Sequence, residues 1–214
     1  MTSKKGYILV EGKGEVEAAQ NLLVRLSRDI GSLHPWTSPR RWTNLHQWES
    51  RRNGGVRRGA EMIRTKRDVG ALLILRDEDD GCPKAVAPHI ATRLRTLALP
   101  FPVAYVLLHP EYEVLFLPCL DRMGFPSEIR WDGQSWEARR GIKEWLSARL
   151  PQGKIYKPTV DQLSMTQQLD FEVLRKAGVP SFGSLERALS FLNEHFNEPG
   201  GVYPKPQLLR KPMR

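Results

Sequence analysis

Tyr7-Ile8-Leu9-Val10-Glu11-Gly12-Lys13-Gly14-Glu15 is the stretch on which the reading of this chain turns. Four apolar or aromatic residues in a row predict a short buried strand, and the glycines after it permit a tight turn into a helix beginning near Glu15. Val16, Ala19, Leu22, Leu23, Leu26 and Ile30 then recur at helical spacing, a stripe that would pack this helix on a sheet. Glu11 is thereby delivered to the carboxyl end of the strand. In an open α/β sheet that end faces the crevice where ligands bind. The plain alternative is that Glu11 only charges the helix entrance, where the dipole favours a carboxylate.

Two further stretches repeat the pattern. Gly70-Ala71-Leu72-Leu73-Ile74-Leu75 runs into Arg76-Asp77-Glu78-Asp79-Asp80-Gly81, and Pro102 to Leu108 runs into His109-Pro110-Glu111-Tyr112-Glu113. Continuous apolar runs of this length predict strands buried on both faces of a parallel sheet. Pro83 opens a helix between them, with Val86, Ile90, Leu94 and Leu97 on one face. If the chain is still extended beyond Leu75, Asp77 and Asp79 point the same way and Glu78 the other. Adjacent carboxylates repel, so a hard divalent cation, Mg²⁺ or Mn²⁺, is the natural companion of such a site. A solvated acidic turn is the alternative. Three strands releasing acids at one end would gather Glu11, Asp77, Asp79 and one or both of Glu111 and Glu113.

The formal net charge is +9 over 214 residues, and the pI is about 9.8, which suggests a polyanionic partner. Between Gly31 and Arg67 lie nine cationic residues, Arg40, Arg41, Arg51, Arg52, Arg57, Arg58, Arg64, Lys66 and Arg67, against Glu49 and Glu61, so this segment carries most of the excess. It also holds Trp36, Trp42 and Trp48. Arginines between indole rings suit phosphates and stacked bases. Tryptophans that merely anchor a long connection to the core are the competing reading.

The remaining sequence predicts a helix over 134–150, with Ile142, Trp145 and Leu146 inward and Arg139, Arg140, Lys143 and Arg149 outward. The connection Lys154 to Thr159 offers Lys157 to the crevice or to solvent, and two helical stretches follow, near 161–177 and 184–196. From Glu198, Pro and Gly alternate with Lys and Arg, predicting a mobile or partner-docked tail. The expected organisation is an α/β core over 1–125 with a basic insertion at about 34–67, a helical region over 126–197 and a tail over 198–214. No apolar run approaches the ~20 residues that cross a bilayer, and the N-terminus lacks the apolar core of a secretory signal; a cytoplasmic protein is expected. Cys82 and Cys119 form neither a disulfide framework nor a zinc signature.

Val10-Glu11-Gly12 with Glu15 in the next turn, followed by a strand ending in Asp77-x-Asp79, resembles the Toprim fold, the metal-binding domain of topoisomerases, primases and OLD (overcoming lysogenization defect) nucleases. The text from Leu75 to Asp79 with Cys82, the pair Glu111-Tyr112-Glu113, and the stretches Tyr156 to Asp161 and Ser181 to Leu185 are similar to an uncharacterised bacterial Toprim-like family, domain of unknown function family 4276. Lys13 and the Trp-rich basic segment depart from it. The resemblance implies a Rossmann-like, mostly parallel sheet and a metal-dependent nuclease, with an ATPase partner in phage defence. In that reading Asp77 and Asp79 hold a metal, Glu11 completes the site or accepts a proton, and Glu15, Glu111 and Glu113 serve a second cation. Lys157 neutralises charge on the phosphate, and Arg40, Arg41, Arg51, Arg52, Arg57, Arg58, Trp42 and Trp48 hold nucleic acid, DNA first among the candidates. The alternative is a non-catalytic nucleic-acid- or partner-binding module on the same fold.

Overall fold

The computed structural model describes residues 3–51, 53–125, 135–138, 140–150 and 154–207. Five parallel strands form one sheet in the order β2-β1-β3-β4-β5: β1 (Lys5–Val10), β2 (Arg40–Arg41), β3 (Val69–Asp77), β4 (Val103–Leu108) and β5 (Val202–Tyr203). The expected α/β architecture is therefore present. Helices α1 (Glu15–Asp29), α2 (Val56–Arg64), α3 (Pro83–Arg95), α4 (Ile142–Ser147), α5 (Pro158–Gln167), α6 (Phe171–Ala177) and α7 (Pro180–Glu194) cover it. No helix among the described residues is long and apolar enough to cross a membrane.

Alternation along the three central strands divides the core in two. Ile8, Val10, Ala71, Leu73, Leu75, Ala104, Val106 and Leu108 face one side, where they pack with residues of α1, α6 and α7. Leu9, Leu72, Ile74, Val103, Tyr105 and Leu107 face the other, under α2 and α3. A strand that buries both faces has no polar positions to spare, which is why each run reads as uninterrupted apolar sequence. In parallel register Val10 lies beside Leu75, and Asp77 beside Leu108. All three strands consequently stop at the same lip.

The C-terminal helices pack into this core. Leu174, Phe182, Leu185 and Leu189 share the cluster of Ile8 and Leu73. At Gly14 the start of α1 comes so close to α5 that an added Cβ would stand 2.8 Å from the Pro158 carbonyl carbon. Gly14→Ala should cost about 1–3 kcal/mol, since backbone must move to admit the methyl. Thermal unfolding of the purified variant measures it.

Three local expectations are corrected. The helix over 134–150 is confined to Ile142–Ser147, because Gly141 takes a left-handed conformation (φ 67°) immediately before it; Gln134 and Arg139 lie outside the described residues. The tail is not free over its described part, for Val202 and Tyr203 pair with Val103 and Ala104 as an edge strand. A second edge strand, Arg40–Arg41 on β1, was also absent from the sequence reading. Strands of two residues have no apolar run to announce them; their pairing follows from where the rest of the chain docks.

Candidate metal centre

Glu11 leaves the end of β1 half-exposed. Its Oε1 accepts the Leu45 N–H at 3.1 Å and lies 3.3 Å from His46 Nδ1. Glu15, in the first turn of α1, is 8% exposed. Asp77 ends β3. These three line one cleft of about 460 Å³ together with His46, Arg76, Glu78, Asp79 and Asp80. Two of the three expected strand ends thus meet at this cleft, and the third joins through a lysine.

That lysine is Lys143, which the sequence reading assigned to the outward face of its helix. Its Nζ lies 2.8 Å from Glu111 Oε2, 3.5 Å from Glu113 Oε2 and 3.8 Å from Asp77 Oδ2. Glu111 also accepts the backbone N–H of Ile142 at 2.6 Å, satisfying a donor that every helix start leaves open. Lys143 sits in the first turn of a helix of six residues, where a side chain slants back past the helix start. Periodicity identified the apolar positions but could not show that a long side chain so placed reaches around the end. A lysine at the positive end of a helix is electrostatically misplaced, but a helix expected over 134–150 puts Lys143 mid-helix, so the sequence carries no such signal.

Glu113 is fully buried. It accepts hydrogen bonds from Tyr156 Oη at 2.7 Å and Gln162 Nε2 at 3.2 Å. Burial pushes its carboxyl above the ordinary range, against the pull of Lys143 and the Tyr156 hydroxyl. Asp77 is raised well above its usual value, first by burial and then by Glu15, Glu113 and Glu111, with Lys143 opposing. Glu15 is raised by burial and by Glu11, opposed by the Gly12 N–H and Lys143. Burial works against the Lys143 ammonium, but Glu113, Glu111 and Asp77 outweigh it and hold it protonated. One ammonium among these acids leaves the cluster short of positive charge.

The oxygens left without partners fit that deficit. Asp77 Oδ1 and Glu113 Oε2 are buried and accept no hydrogen bond among the described residues. Glu113 Oε2 still has the Lys143 ammonium at 3.5 Å, whereas Asp77 Oδ1 has no partner among the described residues; a buried acceptor oxygen of that kind is one that a hard divalent cation could satisfy. Among the described residues no three acids, histidines or cysteines converge as a preformed cage, and the Lys143 ammonium extends between Asp77, Glu111 and Glu113. Glu15, Asp77 and Asp79, all oxygen donors lining the cleft, are the residues that could hold a hard cation. Lys143→Met should destabilise the protein by about 2 kcal/mol, less than the ~3–5 of a fully buried pair because part of the lysine meets solvent. Urea unfolding at constant pH reads this directly.

The other expected site residues divide. Asp79 lines the cleft but is exposed, and Glu78 does not stand opposite it in solvent: it is buried, bonded to Arg76 and to the Gly81 N–H. Arg76 donates on to Tyr105 Oη at 2.8 Å, and Tyr105 to the Leu45 carbonyl at 2.9 Å. The acidic turn therefore carries its own counter-ion, a role sequence spacing did not show. Lys157 is exposed at the start of α5, where its backbone N–H caps onto Asp161; among the described residues the lysine that reaches the acids is Lys143.

In the basic segment the tryptophans are anchors. Trp42 donates to the Gly55 carbonyl at 2.9 Å, and both Trp42 and Trp48 pack on the core under α2 and α3. Their rings are half-buried and do not form an open stacking platform. Arg57 is engaged by Glu49 and Glu61. Arg40, Arg41, Arg51 and Arg58 remain exposed, with Arg41 Nε 3.3 Å from the Glu11 carbonyl oxygen and so at the rim of the acids; Arg52 lies outside the described residues. Compared with models of protein families, with curated proteins and with solved structures, the chain has no significant match.

Proposed function

We propose that this protein is a divalent-metal-dependent, Toprim-like nuclease that cleaves phosphodiester bonds. The observation that carries the reading is that Glu11, Glu15, Asp77 and Asp79 line one cleft, where the buried Asp77 Oδ1 has no hydrogen-bond partner among the described residues. Glu15, Asp77 and Asp79 would hold Mg²⁺ or Mn²⁺. Such an ion, when bound, stabilises charge on the phosphoryl oxygens and lowers the pKa of water. Glu11 is the least buried of the three inner carboxylates and keeps an oxygen free for a proton from the attacking water. Lys143 holds Glu111, Glu113 and Asp77 in register. Arg40 and Arg41 extend from the neighbouring strand and engage the nucleic-acid backbone.

The internal lysine also favours a second reading, a binding module in which Lys143 alone balances the acids. Calorimetry and a cleavage assay on single-stranded and duplex nucleic acid separate the two: the nuclease binds Mn²⁺ and cleaves at least one of these substrates in its presence, whereas the module cleaves neither and keeps its nucleic-acid affinity in chelator. The resemblance to partners of ATPases in phage defence makes co-expression with a neighbouring ATPase the control for an inactive preparation. Neutralising Arg40 and Arg41 together should weaken duplex binding and reduce the slope of log affinity against log salt by roughly 2, about 0.9 for each lost phosphate contact. A salt titration of both proteins measures this.

A further inference from the structure

A larger cavity, about 730 Å³, opens beside the acid cleft and shares Asp80 with it. It lies between the starts of α3 and α7, over the end of β4 and against β5. Its lining includes the apolar Leu107, Ala87, Pro88 and Pro204 and the ring of Tyr203. Three cations line it. Arg140 reaches Asp80 at 3.2 Å, while Lys84 and Arg187 have no carboxylate partner among the described residues. Arg187 Nε instead faces Tyr203 Oη at 3.4 Å. The one other carboxylate in the lining, Glu137, is taken by the Ser181 hydroxyl.

A largely apolar cavity that also holds an aromatic side chain and cations without a carboxylate partner matches one planar base with its phosphate. A base stacked inside a duplex does not present a face that such a slot can cover, whereas an unpaired one does. The cavity shares Asp80 with the cleft that Asp77 and Asp79 line, so a strand held here by one nucleotide would run on toward those acids. Helices α3 and α7 both begin here without a side-chain cap, adding partial positive charge to that of Lys84 and Arg187. Resting on the nuclease reading for its orientation, we propose that this cavity is a subsite for an unpaired nucleotide, and that the substrate is single-stranded nucleic acid or an unpaired end.

The test is fluorescence anisotropy in chelator, so that binding is read without cleavage. The probes are a labelled single-stranded oligonucleotide, the same sequence as a blunt duplex, and a mononucleotide as competitor. Lys84→Ala/Arg187→Ala should weaken single-strand binding at least tenfold and leave the duplex within about twofold, each phosphate contact contributing to affinity. Lys66→Ala/Arg67→Ala removes the same charge elsewhere and should affect both probes equally and weakly. Matching melting temperatures exclude a folding defect. The proposal falls if the pocket variant binds the single strand as the parent does, if both probes weaken alike, or if the parent prefers duplex. Competition by the mononucleotide alone, without preference for the strand, would likewise overturn it in favour of a small-molecule site. Should Asp77→Asn bind single strands normally while the parent never cleaves, the subsite stands and the nuclease reading is what fails.

Discussion

Asp77→Asn should abolish Mn²⁺-dependent cleavage while raising the melting temperature of the metal-free protein. The two effects have one cause. Asp77 ends β3 with Oδ1 buried and unpartnered, and its charge is opposed by Glu15, Glu113 and Glu111. An amide of the same shape removes a repelled charge from a poorly solvated place, worth about 1–2 kcal/mol in stability. That corresponds to a rise of roughly 2–4 °C per kcal/mol for a chain of this size. On the proposed function the same change would remove a ligand for a cation that stabilises charge at phosphorus, and should reduce the rate by about 10³-fold. Opposite signs for stability and activity distinguish a functional carboxylate from a structural one. If the variant melts lower and still cleaves, Asp77 is a structural acceptor and the proposed site is wrong.

The second large effect is on pH dependence. Asp77, Glu15 and Glu113 are all raised above the ordinary carboxylate range by burial and mutual repulsion. Unfolded, each gives up its proton near pH 4; folded, it keeps that proton to higher pH. Between those limits the folded state binds more protons than the unfolded one, so stability falls as pH rises. Their contribution is complete below about pH 4 and is lost progressively as pH passes through the raised folded values. Melting curves in chelator should therefore show a decline from mildly acid toward alkaline solution, flattened in Asp77→Asn. Mn²⁺ should reverse it, stabilising most where the carboxylates are ionised, by about 2.7 kcal/mol at a hundredfold excess over the dissociation constant. A melting temperature that stays level with pH in chelator, or Mn²⁺ that stabilises equally at all pH values, would contradict the account.

Several parts of this protein were legible from residue order alone. Uninterrupted apolar runs ending in Glu11, Asp77 and Glu111 announce strands buried on both faces, and the helical stripe between the first two requires a parallel crossover. Parallel strands then put their carboxyl ends on one edge. Less legible was the counter-charge. Lys143 stands 66 positions after Asp77 in the chain, and its helix is too short for facial periodicity to tell which way a long side chain leans. Arg76 reads as one more surface cation until Tyr105, from the adjacent strand, is seen to hold it. Trp42 and Trp48 show a second competition: indoles among arginines suggest stacking, but an indole with core within reach packs part of its ring there because that removes apolar area from water.

Local sequence thus determined the sheet, its parallel sense and the lip at which the acids emerge, because burial on both faces and the period of a strand act over a few residues. The tertiary structure alone decided which charges meet there. Edge strands Arg40–Arg41 and Val202–Tyr203, the approach of Lys143 to three carboxylates and the cavity beside Asp80 all depend on segments distant in the chain being pressed together by a shared core. Electrostatic energy follows distance in space and exposure to water, and neither is a property of neighbouring residues in a sequence.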